Sequence, residues 1–264
     1  MSHPSFILGV DINKSDSKDL PNATEIAERN NSIMTTSKST TVITSETTLK
    51  PVKLHILLDR SGSMQGFEAD VIGGFNSFKE KQRQVEGECS LTLVQFDGAD
   101  PFEVIYNDLE IGSVPDLTND KYWPRGNTPL WDAVGRLITT ADKANADSDV
   151  DNIIWIFTDG YENASREFTS GKVCELIKEK EEAGWSFIFM GCDIDAYVQG
   201  GELGVRQAHT MNFMKDGQGY QTAWDDMERS VTSYRSKDAA GRVSQREDMF
   251  EGQKSAEWDW ESRK

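Results

Sequence analysis

Three separated segments carry oxygen-bearing side chains of the kind that hold a small, hard cation. The first is Asp59-Arg60-Ser61-Gly62-Ser63, directly after the apolar run Leu54-His55-Ile56-Leu57-Leu58. The second is Gly126-Asn127-Thr128-Pro129-Leu130. The third is Phe157-Thr158-Asp159-Gly160, after Asn152-Ile153-Ile154-Trp155-Ile156. A buried strand that ends in a carboxylate followed by hydroxyls closes a core poorly. It suits a magnesium-like ion, which wants about six oxygens at about 2.1 Å and keeps several waters. Hydroxyls are neutral ligands, so with two carboxylates nearby the ion stays electrophilic and attracts an outside acid. Taken singly, each piece has a plainer role: Ser61 as a helix cap, Thr128 as a helix start before Pro129, Asp159-Gly160 as a turn. Their joint occurrence, each beside an apolar strand or helix, favours the cation.

The elements that must position these side chains follow a strand–helix alternation from Val52 onward. Residues 53–58 read as a buried strand, and 153–157 is a continuous apolar run, as expected of a central parallel strand covered on both faces. Residues 90–96 and 102–106 flank Asp97-Gly98 and read as a hairpin. Residues 186–190 read as another buried strand and 209–214 as a short last one. Helices are expected over 68–85, where Gly73-Gly74 weakens the pattern, over 130–141, from a Thr169 or Ser170 cap to Ala183 with Gly184 as its stop, and over 220–235. The spacing of Leu130, Ala133, Val134, Leu137, Ile138 and Ala141 is the clearest helical face. This alternation predicts an α/β fold with a mostly parallel sheet between helical layers, its ligands beyond the carboxyl ends of the strands. Asp59 and Asp159 both fall at that end.

The pattern Asp59-x-Ser61-x-Ser63, then Thr128, then Asp159 resembles the metal-ion-dependent adhesion site of the von Willebrand factor A family. The resemblance covers residues 52–235. It is nearest to single-domain bacterial and bacteriophage members, through Arg125-Gly126-Asn127-Thr128-Pro129-Leu130-Trp131-Asp132-Ala133 and the segment from Thr158 to Glu167. It implies a three-layer, doubly wound sheet of six strands in the order 3-2-1-4-5-6, with one antiparallel edge strand. It further implies that Ser61 and Ser63 bind the cation directly, Thr128 directly or through water, and Asp59 and Asp159 often through water. The implied cofactor is Mg2+, with Mn2+ or Ca2+ as alternatives. The implied activity is non-enzymatic: the ion bridges to an Asp or Glu of a protein partner.

The rest of the chain bounds this reading. Its 264 residues suit one domain with tails, divided here as a Ser/Thr-rich arm over 1–50, a domain over 51–236 and an acidic, Trp-bearing tail over 237–264, expected to be loosely ordered. Within the arm, residues 41–44 could add an edge strand. A formal charge of −17 opposes nucleic-acid and anionic-membrane binding. Cys89, Cys174 and Cys192 are sparse and odd in number, which reads as reduced thiols in a cytoplasmic protein, or a virion-associated one if the chain is of phage origin. No secretory signal or membrane-spanning run is read. Asn163-Ala164-Ser165 matches the glycosylation pattern by chance. Asp193 and Asp195 should lie at the same rim, one of them capping the next helix, while His55 and Cys192 read as core residues and His3 and His209 lack identifiable partners.

Two further readings compete. A magnesium-dependent phosphohydrolase is opposed by Ser61 at the position where a second carboxylate would serve, and by the lack of a phosphate-cradling glycine loop. A structural assembly component would use the arm and the Trp258–Trp260 tail for self-association. A carboxylate of Glu257, Asp259 or Glu261 could then reach the metal site of its own or a neighbouring molecule.

Overall fold

The computed structural model describes residues 49–264. The expectations for the amino-terminal arm, including a strand at 41–44, lie outside the described residues. Six strands form one sheet in the order β3-β2-β1-β4-β5-β6. They are β1 (Val52–Asp59), β2 (Cys89–Phe96), β3 (Glu103–Glu110), β4 (Asp151–Thr158), β5 (Ser186–Cys192) and β6 (Thr210–Phe213). Only β3 runs antiparallel, paired to β2 as the hairpin pattern predicts. The other neighbours are parallel, so the carboxyl ends of β1 and β4 lie side by side, with Leu58 opposite Phe157.

Among the described residues, seven helices accompany the sheet: α1 (Glu68–Gln82), α2 (Leu130–Asn145), α3 (Ser170–Glu182), α4 (Ala196–Glu202), α5 (Gly217–Ser236), α6 (Ala239–Gln245) and α7 (Ser255–Arg263). Alternating side chains divide the core between the two faces of the sheet. Leu54, Ile56, Leu58, Trp155 and Phe157 pack with α1 and α5 through Val71, Phe75, Phe78, Trp224 and Met227. Leu57, Ile154 and Ile156 pack on the opposite face with Leu130, Val134 and Ile138 of α2 and Val173 and Ile177 of α3. None of the described helices is long and apolar enough to cross a membrane.

Several sequence expectations are corrected in detail. The glycines that weaken α1 have a packing reason at Gly74: a β-carbon there would sit 2.1 Å from Trp224 Cδ1. Pro129 caps α2 rather than occupying its first turn, and no side chain caps that end, so Thr128 does not double as a helix cap. Residues 237–264, expected to be loose, supply α6 and α7 and bury Met249, Phe250 and Ala256 against the core. Their apolar residues belong to two short helices and a turn, too brief to display a helical period. Glu257 turns inward: its carboxylate accepts from Asn212 N at 2.6 Å and Asn212 Nδ2 at 3.2 Å, so within the chain it serves β6 rather than the metal motif. Trp258 is exposed.

Candidate metal centre

The three motif segments meet at the carboxyl edge of β1 and β4. Asp59 is the last residue of β1, and the chain leaves it through a single turn of 3-10 helix, Gly62–Met64. Arg60, the unspecified residue of the first motif, is fully buried. Its guanidinium donates to Asp97 Oδ2 at 2.8 Å and Gln95 Oε1 at 3.1 Å and pairs with Glu103 at 2.6 Å. That anchor fixes the start of the loop.

Backbone hydrogen bonds then join the loops to one another. Arg125 N donates to Arg60 O at 2.8 Å, and Gly62 N donates to Gly126 O at 3.0 Å. Gly126 has φ +70°, a left-handed conformation that glycine adopts without steric cost. Thr128 is tied to the third segment in both directions: its N–H donates to Asn163 Oδ1 at 2.9 Å, and its carbonyl accepts from Asn163 N at 3.1 Å. Asn163 is therefore a structural clamp. Glu162 and Asp132 complete the frame. Glu162 accepts from Trp131 N at 2.9 Å and Ser165 N at 2.7 Å, and Asp132 accepts from the N–H groups of Arg166, Glu167 and Phe168, each at 2.8 Å.

The five side chains named from the sequence come together within this frame. Ser61 Oγ and Ser63 Oγ are 2.9 Å apart, and Ser63 Oγ donates to Asp159 Oδ1 at 2.6 Å. A β-carbon on Gly160 would lie 2.7 Å from Thr128 Oγ1 and 3.4 Å from Ser63 Oγ. The hydroxyls of Thr128 and Ser63 thus face the same space above Gly160, and a side chain at that position would intrude on it. Both Asp59 oxygens are engaged: Oδ1 accepts from Ser61 N and Oδ2 from Thr158 Oγ1, each at 2.6 Å. Asp59 accordingly orients the serine loop. Asp59, Ser61, Thr128 and Asp159 are buried, whereas Gly62, Ser63 and Asn127 are exposed, so the cluster opens to solvent on its Ser63 side.

Burial pushes the Asp59 carboxyl up to about 7, with the neighbouring Asp159 charge adding to the rise and the Thr158 and Ser61 hydrogen bonds opposing it. Tyr122, whose hydroxyl donates to Asp59 O at 2.9 Å, is raised well above the ordinary phenol range, chiefly by burial. A divalent cation beside these carboxylates would favour their ionised forms. The donor set fits a hard ion: three hydroxyl oxygens and two carboxylates, with no imidazole or thiolate. Among the described residues no group of three His, Cys, Asp or Glu side chains could hold a metal.

Sequence reading missed three contributors. Thr158 holds Asp59 from the strand itself; it lies in the third segment, but sequence reading assigned it no role there. Arg60 is concealed in a motif position that accepts any residue. Lys215 places its ammonium 2.9 Å from Asp159 Oδ2 and lies more than fifty positions along the chain from its partner. Among the rim residues, Asp195 caps α4 by accepting from Val198 N at 3.1 Å. His55 is a core residue: its Nε2 meets Asn152 Oδ1 at 3.1 Å, and burial lowers it to about 4. His209 gains a partner that sequence did not disclose, Phe187 O, 3.1 Å from Nδ1. Cys192 is buried, and that burial raises its thiol far above the ordinary range.

No family model and no curated protein matches the sequence. Solved structures do match it. The chain is similar to the pilus adhesin SpaC from Lactobacillus rhamnosus GG in its open conformation, with TM-score 0.53 and 12% identity, covering 70% of this chain and 30% of SpaC. It is also similar to proximal thread matrix protein 1 from the mussel byssus, solved with a zinc-occupied MIDAS motif, with TM-score 0.50 and 11% identity, covering 70% of this chain and 46% of that one. The match spans less than half the length of either protein. At such identities the likeness concerns the fold, and the six-stranded sheet with its single antiparallel edge has the von Willebrand factor A-like architecture.

Proposed function

We propose that this domain is a metal-dependent protein-binding module. In this reading Ser61, Ser63 and Thr128 hold a divalent cation, Asp59 and Asp159 orient the hydroxyls and balance its charge, and an Asp or Glu of a protein partner completes the coordination. One observation carries the proposal: three hydroxyls and two carboxylates from separate loops converge at a strand-end cluster that opens to solvent beside Ser63. Mg2+ is the expected ion because neutral hydroxyl ligands and a compact site suit a small hard cation, with Mn2+ or Ca2+ as substitutes. The ion supplies a Lewis-acidic position for the partner's carboxylate. The structural neighbours agree with this assignment, since SpaC is a pilus adhesin and the thread matrix protein has been solved with zinc in its MIDAS motif.

No catalytic role is assigned to these residues. Asp59 is committed to Ser61 N and Thr158, which leaves it poorly placed as a general base. The same reading places the chain, with its sparse and widely separated Cys89, Cys174 and Cys192, in a reducing cytoplasm or, if it is of phage origin, with a virion. The test compares protein capture by the immobilised wild-type chain in magnesium, in chelator, and by Ser61→Ala in magnesium. A partner retained only by wild type with magnesium is the expected result. Capture that survives both chelation and the substitution would contradict the proposal.

A further inference from the structure

Lys215 follows β6 and precedes α5, in the stretch Phe213-Met214-Lys215-Asp216. Its ammonium is 2.9 Å from Asp159 Oδ2, and Ser63 Oγ donates to the other oxygen at 2.6 Å. The Asp159 side chain is fully buried and that of Lys215 is 27% exposed. The lysine is held on two further sides. Its ammonium lies 5.9 Å from the Phe67 ring centroid, and Phe67 itself stacks on Tyr220 at 4.9 Å. The next residue, Asp216, caps α5 by accepting from Gly219 N at 2.8 Å, which fixes where the lysine leaves the backbone.

A buried carboxylate without a counter-charge is costly, and the ammonium relieves that cost in the metal-free chain. A divalent ion among Ser61, Ser63 and Thr128 would meet the same ammonium as a like charge at short range. The lysine therefore acts in opposite directions on the two states. Being tethered, it cannot be diluted away as a free cation can.

On the proposed reading of the cluster as a metal centre, we infer that Lys215 is a built-in competing cation: its ammonium pairs with Asp159 and sets how tightly the site holds a divalent ion. This role differs from a merely structural one. Loss of a merely structural salt bridge would lower the stability of the metal-free and metal-bound chains alike. The competing cation stabilises only the metal-free chain.

The experiment is calorimetric titration of the full chain with Mn2+, together with thermal unfolding with and without Mn2+, for wild type, Lys215→Met, Lys215→Gln and Lys215→Arg. The two neutral variants are expected to bind Mn2+ about tenfold tighter or more. They should also melt lower without metal and gain more from it. Lys215→Arg keeps the charge and should retain the wild-type affinity. Unchanged or weaker Mn2+ binding in whichever neutral variants fold would overturn the inference while leaving the metal centre intact. Failure of wild type and all variants to take Mn2+ would instead remove the metal centre and this inference together.

Discussion

Gly160→Ala perturbs the cluster with a single methyl group. Gly160 lies outside the left-handed glycines, so alanine can adopt its backbone conformation. The new β-carbon would stand 2.7 Å from Thr128 Oγ1, against the 3.4 Å at which ordinary contact begins, so the hydroxyl must retreat by the difference, 3.4 − 2.7 = 0.7 Å. Thr128 cannot give way through its backbone, because its N–H and its carbonyl are both bonded to Asn163. The displacement falls on the side chain and exceeds the tolerance of about 0.2 Å within which metal–ligand distances are held. Displacing a group that positions a ligand costs about 10- to 100-fold in metal affinity. Calorimetric titration with Mn2+ should show a loss in that range, while the metal-free melting temperature moves by only about 4 °C or less. A folded Gly160→Ala protein that binds Mn2+ as tightly as wild type would refute the placement of Thr128 among the ligands.

Other outcomes follow from the same packing and charges. Gly74→Ala places a methyl inside the Trp224 ring contact at 2.1 Å, and this overpacking should cost about 1–3 kcal/mol in denaturant unfolding. Glu257→Ala leaves Asn212 N without its acceptor beneath α7 and should cost about 1–3 kcal/mol by the same assay, with Mn2+ affinity unchanged. The pH dependence of stability should show His55. Its folded form stays neutral down to about 4, whereas the unfolded chain takes up the proton near the ordinary value of 6.5. The stabilisation is therefore complete above pH 6.5 and is lost as pH falls toward 4, by on the order of 3 kcal/mol in total. Burial also lowers His209 to about 4, which adds a slope of the same sign. Asp59, raised to about 7, adds one of the opposite sign. His55→Gln should therefore remove only the share of His55 from the slope across that window; an unaltered slope would contradict the assignment.

Much of this architecture is legible in the sequence because the two central strands are largely apolar runs that end in chemistry. Leu54 to Asp59 and Ile153 to Asp159 announce both a parallel pair and the edge where its ligands collect. The five cluster residues could be named because their order resembles the metal-ion-dependent adhesion site and because the segments that carry them follow a recognisable strand or precede a recognisable helix. What escaped is what long-range packing creates. Lys215 sits in a short polar connection with nothing around it to suggest a partner at Asp159. Arg60 gives no sign of burial until the strands bring Asp97 and Gln95 beneath it. The carboxyl-terminal helices α6 and α7 are too short for a period to emerge, and their order depends on contacts such as Arg242 with Asp151 and Glu257 with Asn212.

The most direct measurement is anomalous diffraction from crystals of the chain equilibrated with Mn2+. The account predicts one strong manganese peak bounded by Ser61 Oγ, Ser63 Oγ and Thr128 Oγ1, at ligand distances of about 2.1–2.2 Å, with the remaining coordination turned to solvent. Crystals at saturating Mn2+ with no peak among those three oxygens, or with the ion bound elsewhere, would contradict it.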